Sequence, residues 1–582
     1  VILTFDRSSQ TLRTTISSRQ WRQSVIYLKR DLQATGEIEG SEILVTLPAL
    51  PAIVSRIQRR FPELVVDPSV EREMARFKDA ASLRRAARAC ATDTDFWMEN
   101  GYPLKPPLAH QVAGIAWLAT EYGAILGDDM GLGKTYQAIN AASCVMRHDD
   151  ATRVVVLCPN SVKENWRREV AMFGWGETER SGYRKALVPR ARPLATKGAE
   201  ELIRWADDGW KQCRWLILNY ESLRHFPDAF HRCTDGAILV CDEAHRLKNA
   251  RAKQSEIVQA APRSHIWLMT GTLVANQLDD VWHPCHLVKP GLLYWNYHQF
   301  AHRHVERDEY SKVIGYKNPE VVQNRIEVVM VGRKKEQCLD LPEKMFTTRV
   351  VQLAADERRA YEQMRKDLIA WFDEVSSEEK KTKATAANFA VRALRLRQIS
   401  AGLISDGETM NFAKRPTKAN EVLALHEDSG RRRMVVWCVY VPVTKRIAAM
   451  FEKEGTWARA LSGSVPQRER QDIVDEWSTT EGAVLVCQMD AMGEGWNGQA
   501  ADLQAFIDVP FTPKQRLQCI DRLHRYGQTR GVEVVDIIAE DTLDDPLTDR
   551  LMRKIEVADE TVSLAYERVS MDEVRSWLAP RK

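Results

Sequence analysis

The 11 cysteines include no CxxC pair, and Cys158, Cys241 and Cys487 sit inside apolar runs. That spacing excludes a zinc ribbon and a disulfide framework, and it predicts buried free thiols in a reducing compartment. The one tight cluster, "HPCH" at His283–His286, has no second ligand pair nearby, so it reads as ordinary helix or loop rather than a zinc site. No apolar run approaches the ~18 residues a membrane-crossing helix needs. The opening "VILTFDRSSQ" has no basic stretch ahead of its short apolar run, which argues against a signal peptide. An excess of one charge is missing too: 83 Lys and Arg stand against 80 Asp and Glu, a formal net charge of +3. Any surface for an anionic polymer must therefore be a local basic track. No short internal repeat occurs.

What is present fits a globular chain: 44% hydrophobic and 28% charged residues over 582 positions. That length suggests about three or four domains. From Gly101 a rhythm of short apolar runs and longer helical patterns sets in, with "RVVVLC", "WLILNY", "AILVCDE" and "HIWLMTGT" as the runs. Near-continuous apolar runs between helices predict parallel strands buried on both faces. The rhythm breaks between about Val281 and Asn420, where the sequence is charged and reads as helical. It resumes with "RMVVWCVY", "AVLVCQ", "AFIDVP" and "VEVVDIIAE". The expected organisation is an N-terminal α+β accessory region (1–102), a first αβ block (103–290), a helical insertion and linker (291–418), a second block (419–560) and a tail (561–582).

Three stretches carry chemistry. In "LGDDMGLGKTYQAI", Gly131 and Gly133 let backbone N–H groups turn inward, and Lys134 and Thr135 follow at the start of a helix. That is the requirement for cradling phosphates: glycines for the turn, Lys for the oxygens, a hydroxyl for Mg²⁺, and a helix N-terminus favouring anions. Asp128 stands where such a loop usually has its first glycine. In "AILVCDEAHRLKN" a buried strand delivers Asp242 and Glu243 to its end, downstream of the loop at a spacing that allows adjacent parallel strands. The first carboxylate suits a metal ion and the second an attacking water. His245 reads either as a sensor of the terminal phosphate or as the cap of a turn. In "QCIDRLHRYGQ", a continuous helix would put Gln518, Arg522 and Arg525 on one face.

Taken in order, "DDMGLGKT", "DEAH", "MTGT" and "QCIDRLHRYGQ" resemble the Swi/Snf-type DNA translocases of helicase superfamily II, over about Leu104 to Lys554. "LAHQVAGIAWL", "VVLCPNSVKENWRREV", "ALRLRQIS", "LSGSVPQRERQDIVDEW" and "AMGEGWNGQAAD" resemble smaller signatures of that family. "GRKKEQCLDLPEK" and "AEDTLDD" look closest to its compact annealing-helicase (HARP-bearing) branch, although the first hundred residues do not match that branch's fork-binding module.

The resemblance implies two RecA-like lobes with ATP between them, and DNA translocation in repair, replication-fork processing or recombination. It implies that Gln111 reads the adenine edge and that Asp128, Asp129, Met130, Gly131, Leu132, Gly133, Lys134 and Thr135 form the nucleotide loop, with His245 and Gln518 nearby. Thr135 and Asp242 would hold Mg²⁺, Glu243 would serve the water, and Arg522 and Arg525 would neutralise the transferred phosphate. Candidate DNA contacts are Asn160, Ser161, Asn219, Tyr220, Thr272, Gly463, Ser464 and Asn497, in a sequence-tolerant mode that targets phosphates. Trp496 reads as core, and Arg84, Arg85 and Arg88 as a solvated helix face or a further DNA contact.

The sequence departs from the family pattern at Leu273, Gly332 (leaving Arg333 and Lys335), Met492 and the stretch Phe511, Thr512, Pro513. These departures bear on coupling efficiency and remove no catalytic group. The expected protein is a monomer that binds duplex or forked DNA, with replication or repair proteins as partners and no membrane. Its expected place is the cytoplasm of a bacterial or phage-infected cell, or the nucleus of a eukaryote. A strand-separating helicase, an RNA-directed enzyme and a nucleotide-switched scaffold with slow turnover are the alternatives.

Overall fold

The structure is a computed structural model. It describes residues 2–6, 10–17, 20, 28, 34–39, 42–76, 106–148, 153–173, 186–187, 214–271, 278–308, 313–376, 383–405, 410–414, 416–492 and 496–560. Arg84, Arg85, Arg88, Thr272, Leu273 and the tail 561–582 lie outside the described residues. The fold is α/β, with one compact unit running to Leu339 and a second beginning at Asp340.

The first unit is built on a seven-stranded parallel sheet. Its spatial order is Met330–Val331, Gly123–Leu126, His265–Met269, Ile238–Asp242, Val154–Cys158, Trp215–Asn219 and Ala186–Leu187. Alternate residues of the central strands feed two separate cores. Val155, Leu157, Leu239, Cys241, Ile266 and Leu268 pack on one face, and Val154, Val156, Ile238, Val240, Trp267 and Met269 on the other. Burial on both faces is why these strands read as unbroken apolar runs. The strand ending at Asp242 and the strand leading into the phosphate loop are not neighbours. His265–Met269 lies between them and pairs with both, so Met269, at the start of "MTGT", ends the strand between the two.

Ahead of this sheet is a five-stranded mixed sheet in the order Thr35–Glu39, Glu42–Pro48, Thr11–Ser17, Ile2–Asp6, Val65–Val66, backed by the helix Pro51–Arg60. It belongs to the same unit. The Lys289 ammonium meets the Glu73 carboxylate at 3.4 Å with both side chains 7% exposed, and the Arg76 guanidinium lies 3.1 Å from the Tyr122 ring centre.

The second unit carries a six-stranded parallel sheet, ordered Lys344–Val351, Val532–Ala539, Leu503–Phe506, Met434–Cys438, Val484–Gln488, Ala458–Leu461. It too is packed on both faces. Residues 291–418, expected as one insertion, are divided: Met330–Val331 completes the first sheet, whereas Lys344–Val351 and the helices Ala355–Ser376 and Lys383–Ser400 belong to the second unit. The cause is hydrogen bonding. Lys344–Val351 pairs along its whole length with Val532–Ala539.

Candidate active site

The strand Gly123–Leu126 ends where the loop begins, and Gly131 and Gly133 take left-handed backbones with φ of 89° and 75°. A side chain on Gly133 would be strained there and would come within 2.5 Å of the Gln111 amide nitrogen. The helix Lys134–His148 starts immediately after, so its first N–H groups face the loop. The Lys134 ammonium donates to the main-chain carbonyls of Asp128 (2.6 Å) and Asp129 (3.1 Å). Gly271 of "MTGT" approaches the loop: a Cβ there would stand 3.6 Å from the Lys134 ammonium and 3.5 Å from the Asp128 carbonyl oxygen. Gln111 accepts from the Leu108 N–H at 3.0 Å and donates to the Leu132 carbonyl at 3.2 Å, which ties the expected base-reading amide to the loop.

Asp128 does not face the phosphates with its side chain. Its carboxylate is fully buried and paired with the equally buried Arg333: Nε donates to Oδ1 at 2.8 Å and Nη2 to Oδ2 at 2.6 Å. Gln137 adds a bond to Oδ2 at 2.9 Å. An exposed carboxylate at that point would repel a triphosphate, so the pairing removes an electrostatic conflict. Arg333 also donates to the Gln137 side-chain oxygen at 2.8 Å and to the His110 carbonyl. Gly332, which departs from the family pattern, has a packing reason: a Cβ there would lie 3.1 Å from the Gly127 carbonyl oxygen.

At the C-terminal end of Ile238–Asp242, Asp242 Oδ1 accepts the Glu243 N–H at 2.9 Å and Oδ2 accepts the Trp166 indole N–H at 2.9 Å. Burial raises the Asp242 carboxyl well above the usual carboxylate range and the Glu243 charge adds to the rise, while Trp166 and Lys134 oppose it. The Asp242 carboxylate, raised by burial and by the neighbouring Glu243 charge, is a donor that a divalent cation would stabilise. Among the described residues no three His, Cys, Asp or Glu side chains converge. A cation sharing Thr135 and Asp242 with substrate phosphates needs no such cluster. Glu243 itself has a left-handed backbone, φ 51°, in a non-glycine residue. Strain of this kind, about 1 kcal/mol or more, collects at functional sites. The His245 ring nitrogen lies 3.1 Å from the Glu243 carboxylate.

The DNA-contact candidates fall into two groups. Asn160 is exposed and Ser161 half-buried at the end of Val154–Cys158, and Gly463, Ser464 and Asn497 are exposed. Tyr220 and Asn219 correct the expectation. The Tyr220 ring is wholly buried and its hydroxyl donates to the Asp242 carbonyl at 2.7 Å, while buried Asn219 donates to Glu221 at 3.0 Å. Both serve the sheet's end rather than its surface.

In the second unit the helix Pro513–Leu523 begins with Thr512 accepting the Gln515 N–H and Pro513 in the first turn, so "FTP" is a helix start. Buried Arg516 pins the helix to its sheet through two bonds to Asp536, at 2.6 and 2.7 Å. The helix stops at Leu523, before Arg525, so Gln518, Arg522 and Arg525 do not form one helical face. The two arginines still converge, because each donates Nη1 to the carbonyl of Trp496 at 3.3 Å. Gln518, buried beside them, offers its carbonyl to Arg522 Nε at 3.2 Å. Trp496 is core, as read: it is 4% exposed and packs against Trp477 and Trp437. "HPCH" also lies in the core, with His283 hydrogen-bonded to the Leu247 carbonyl and His286 stacked on Trp282. Trp166 and Arg333 are the residues that sequence reasoning missed. The signal for Arg333 was the "GRKK" motif, and for Trp166 the motif that ends "KENWRREV".

A glycine loop opening a helix, with paired carboxylates at the C-terminal edge of a parallel sheet, is the arrangement of phosphate-loop α/β proteins. The family model of the SNF2-related domain matches residues 110–402, half of the chain, and that of the helicase conserved C-terminal domain matches residues 417–527. The chain belongs to the SNF2-related family.

Among its relatives, YwqA of Bacillus subtilis is 26% identical over 78% of this chain and 48% of its own length. Chromodomain-helicase-DNA-binding protein 1-like of Danio rerio is 26% identical over 81% of this chain and 45% of its own. The chain thus spans about half the length of the curated relatives it matches. A solved structure, the Sulfolobus solfataricus SWI2/SNF2 ATPase core in complex with dsDNA, is 24% identical and covers 78% of this chain and 93% of that one, with a TM-score of 0.37. No helix among the described residues is long and apolar enough to cross a membrane.

Proposed function

We propose that the chain is a DNA-stimulated ATPase that couples hydrolysis to translocation on duplex DNA and to remodelling of DNA structures. The observation that carries this reading is the loop around Lys134 set beside Asp242 and Glu243 at one sheet edge, in a chain of the SNF2-related family. Lys134 exchanges its carbonyl partners for phosphate oxygens. Thr135 and Asp242 would hold the magnesium ion that accompanies ATP, which would supply charge neutralisation on the phosphates. Glu243 orients the attacking water and takes its proton. Arg522 and Arg525 neutralise charge developing on the transferred phosphoryl group.

Asn160, Ser161, Gly463, Ser464 and Asn497 are the proposed phosphate-facing DNA contacts. The finer reading, fork remodelling in the manner of the annealing-helicase branch, rests on the similarity of "GRKKEQCLDLPEK" and "AEDTLDD" alone.

The test is steady-state ATP hydrolysis without nucleic acid and with single-stranded, duplex and forked DNA and RNA, with Glu243→Gln as the blank. Stimulation by duplex or forked DNA, lost by about 10²–10⁴-fold in the variant, is the expected result. Turnover indifferent to every nucleic acid would overturn the motor reading.

A further inference from the structure

The phosphate loop does not end as a free turn. It continues the edge of the sheet. The N–H groups of Ile125, Gly127 and Asp129 donate in succession to the carbonyls of Val329 (2.8 Å), Val331 (2.7 Å) and Arg333 (3.0 Å). This parallel ladder runs past the strand and into the loop itself. The Lys335 N–H then returns a bond to Asp129 Oδ2 at 2.9 Å. Four residues later, at Leu339, the first unit ends.

Asp128 and Asp129 are thus used twice. Their main-chain carbonyls hold the Lys134 ammonium, and their remaining groups hold Arg333 and Lys335. We propose that residues 329–335 form a relay that couples nucleotide occupancy of the loop to the connector leaving at Leu339, with Arg333 as its positioning residue. The inference rests on the reading of the loop as an ATP site.

The physical reason is a competition for Lys134. A triphosphate attracts the ammonium more strongly than two carbonyl dipoles do. Binding therefore withdraws a cation from Asp128 and Asp129 together. The Asp128 side chain cannot relax independently, because Arg333 holds it bidentately in a site that admits no water. Arg333 is bound in turn to Gln137, on the helix that Lys134 opens, and to the carbonyl of His110, next to Gln111. A shift of the loop backbone therefore carries the guanidinium and its main chain with it. Packed polar networks of this kind move between discrete arrangements rather than deforming freely.

Hydrogen exchange read by mass spectrometry tests the relay on the full chain, with and without a non-hydrolysable ATP analogue and Mg²⁺. In the wild type, protection should change both in 125–137 and in 329–339. In Arg333→Lys, which keeps the charge beside Asp128 but loses the planar fork, 125–137 should still respond while 329–339 falls silent. DNA-stimulated kcat should drop about tenfold, an ordinary size for a coupling free energy, with a smaller change in the KM for ATP. Gln137→Ala, which leaves the Asp128–Arg333 ion pair and removes the amide bonded to both of its members and to the Leu132 carbonyl, should weaken the response of 329–339 in the same direction and serves if Arg333→Lys does not fold. A response of 329–339 that survives both substitutions, or a wild type in which only 125–137 responds, overturns the relay. A wild type in which 125–137 itself ignores the nucleotide instead refutes the ATP-site reading.

Discussion

The indole N–H of Trp166 donates to Asp242 Oδ2 over 2.9 Å, across 76 positions of sequence. Trp166 lies on the helix Lys163–Phe173, directly after the exposed Asn160 and half-buried Ser161. A side chain from the proposed DNA-contact motif therefore stabilises the ionised form of the carboxylate proposed to hold magnesium. Trp166→Phe keeps the buried ring and removes the donor. Asp242 should become harder to ionise, and the Mg²⁺ concentration giving half-maximal ATPase should rise about tenfold, since a hydrogen bond to a charged group contributes roughly 1.5–3 kcal/mol. A magnesium titration at pH 7 checks this, and an unchanged midpoint would separate Trp166 from the metal.

The two arginines of the second unit should differ in what their loss does. Arg525→Ala removes a partly exposed side chain beyond the helix end, so kcat should fall by about 10³ with little change in melting temperature. Arg522 is 7% exposed and bonded to the Gln518 and Trp496 carbonyls, so Arg522→Ala should lower kcat and stability together. Paired kinetics and thermal melts distinguish them. Equal loss of melting temperature in both variants would refute the distinction.

Acid should weaken the first unit through its histidines. Burial lowers the His286 imidazole from its usual 6.5 to about 4, and His283, also buried, is lowered as well. Between those values the unfolded chain binds the proton and the folded chain does not. The stabilisation is therefore complete above pH 6.5 and is lost as pH falls toward 4, by about 3 kcal/mol for His286. His286→Phe preserves the stacking on Trp282 and cannot titrate. Its melting temperature should fall less between pH 7 and pH 5 than that of the wild type, and parallel declines would contradict the assignment.

Tyr220 supplies a test of the DNA surface. Its hydroxyl is committed to the Asp242 carbonyl inside the fold. Tyr220→Phe should cost about 1 kcal/mol of stability and leave duplex affinity unchanged in an anisotropy titration. Asn160→Ala together with Ser161→Ala should weaken affinity and leave its salt dependence nearly unchanged, because neither side chain carries a charge that displaces counterions. Weaker DNA binding by Tyr220→Phe alone would restore the residue to the interface.

Legibility in the sequence followed burial. Strands buried on both faces, such as Val154–Cys158 and Met434–Cys438, announce themselves as apolar runs. Lys344–Val351 does not, because it is an edge strand whose threonines, Met345 and Phe346 are exposed, and its mixed composition reads as part of a helical region. The glycine loop and the Asp242–Glu243 pair were visible because each is a local pattern. The Asp128–Arg333 pair was not, since 205 residues separate its members and only the fold brings them together. The Gln518–Arg522–Arg525 spacing misled for a local reason: the helix stops at Leu523, and the chain turns at Gly527 with φ 95°.

The position of Met330–Val331 at the sheet's edge bears on how the protein is made. During synthesis the strand Gly123–Leu126 emerges some two hundred residues before the segment that flanks it. Until that segment arrives, the amides of Ile125, Gly127 and Asp129 lack their acceptors and Asp128 has no guanidinium to pair with. A nascent chain halted before residue 329 therefore holds every residue of the glycine loop without the backbone that flanks it, and should gain any grip on a nucleotide only once residues 329–335 have emerged.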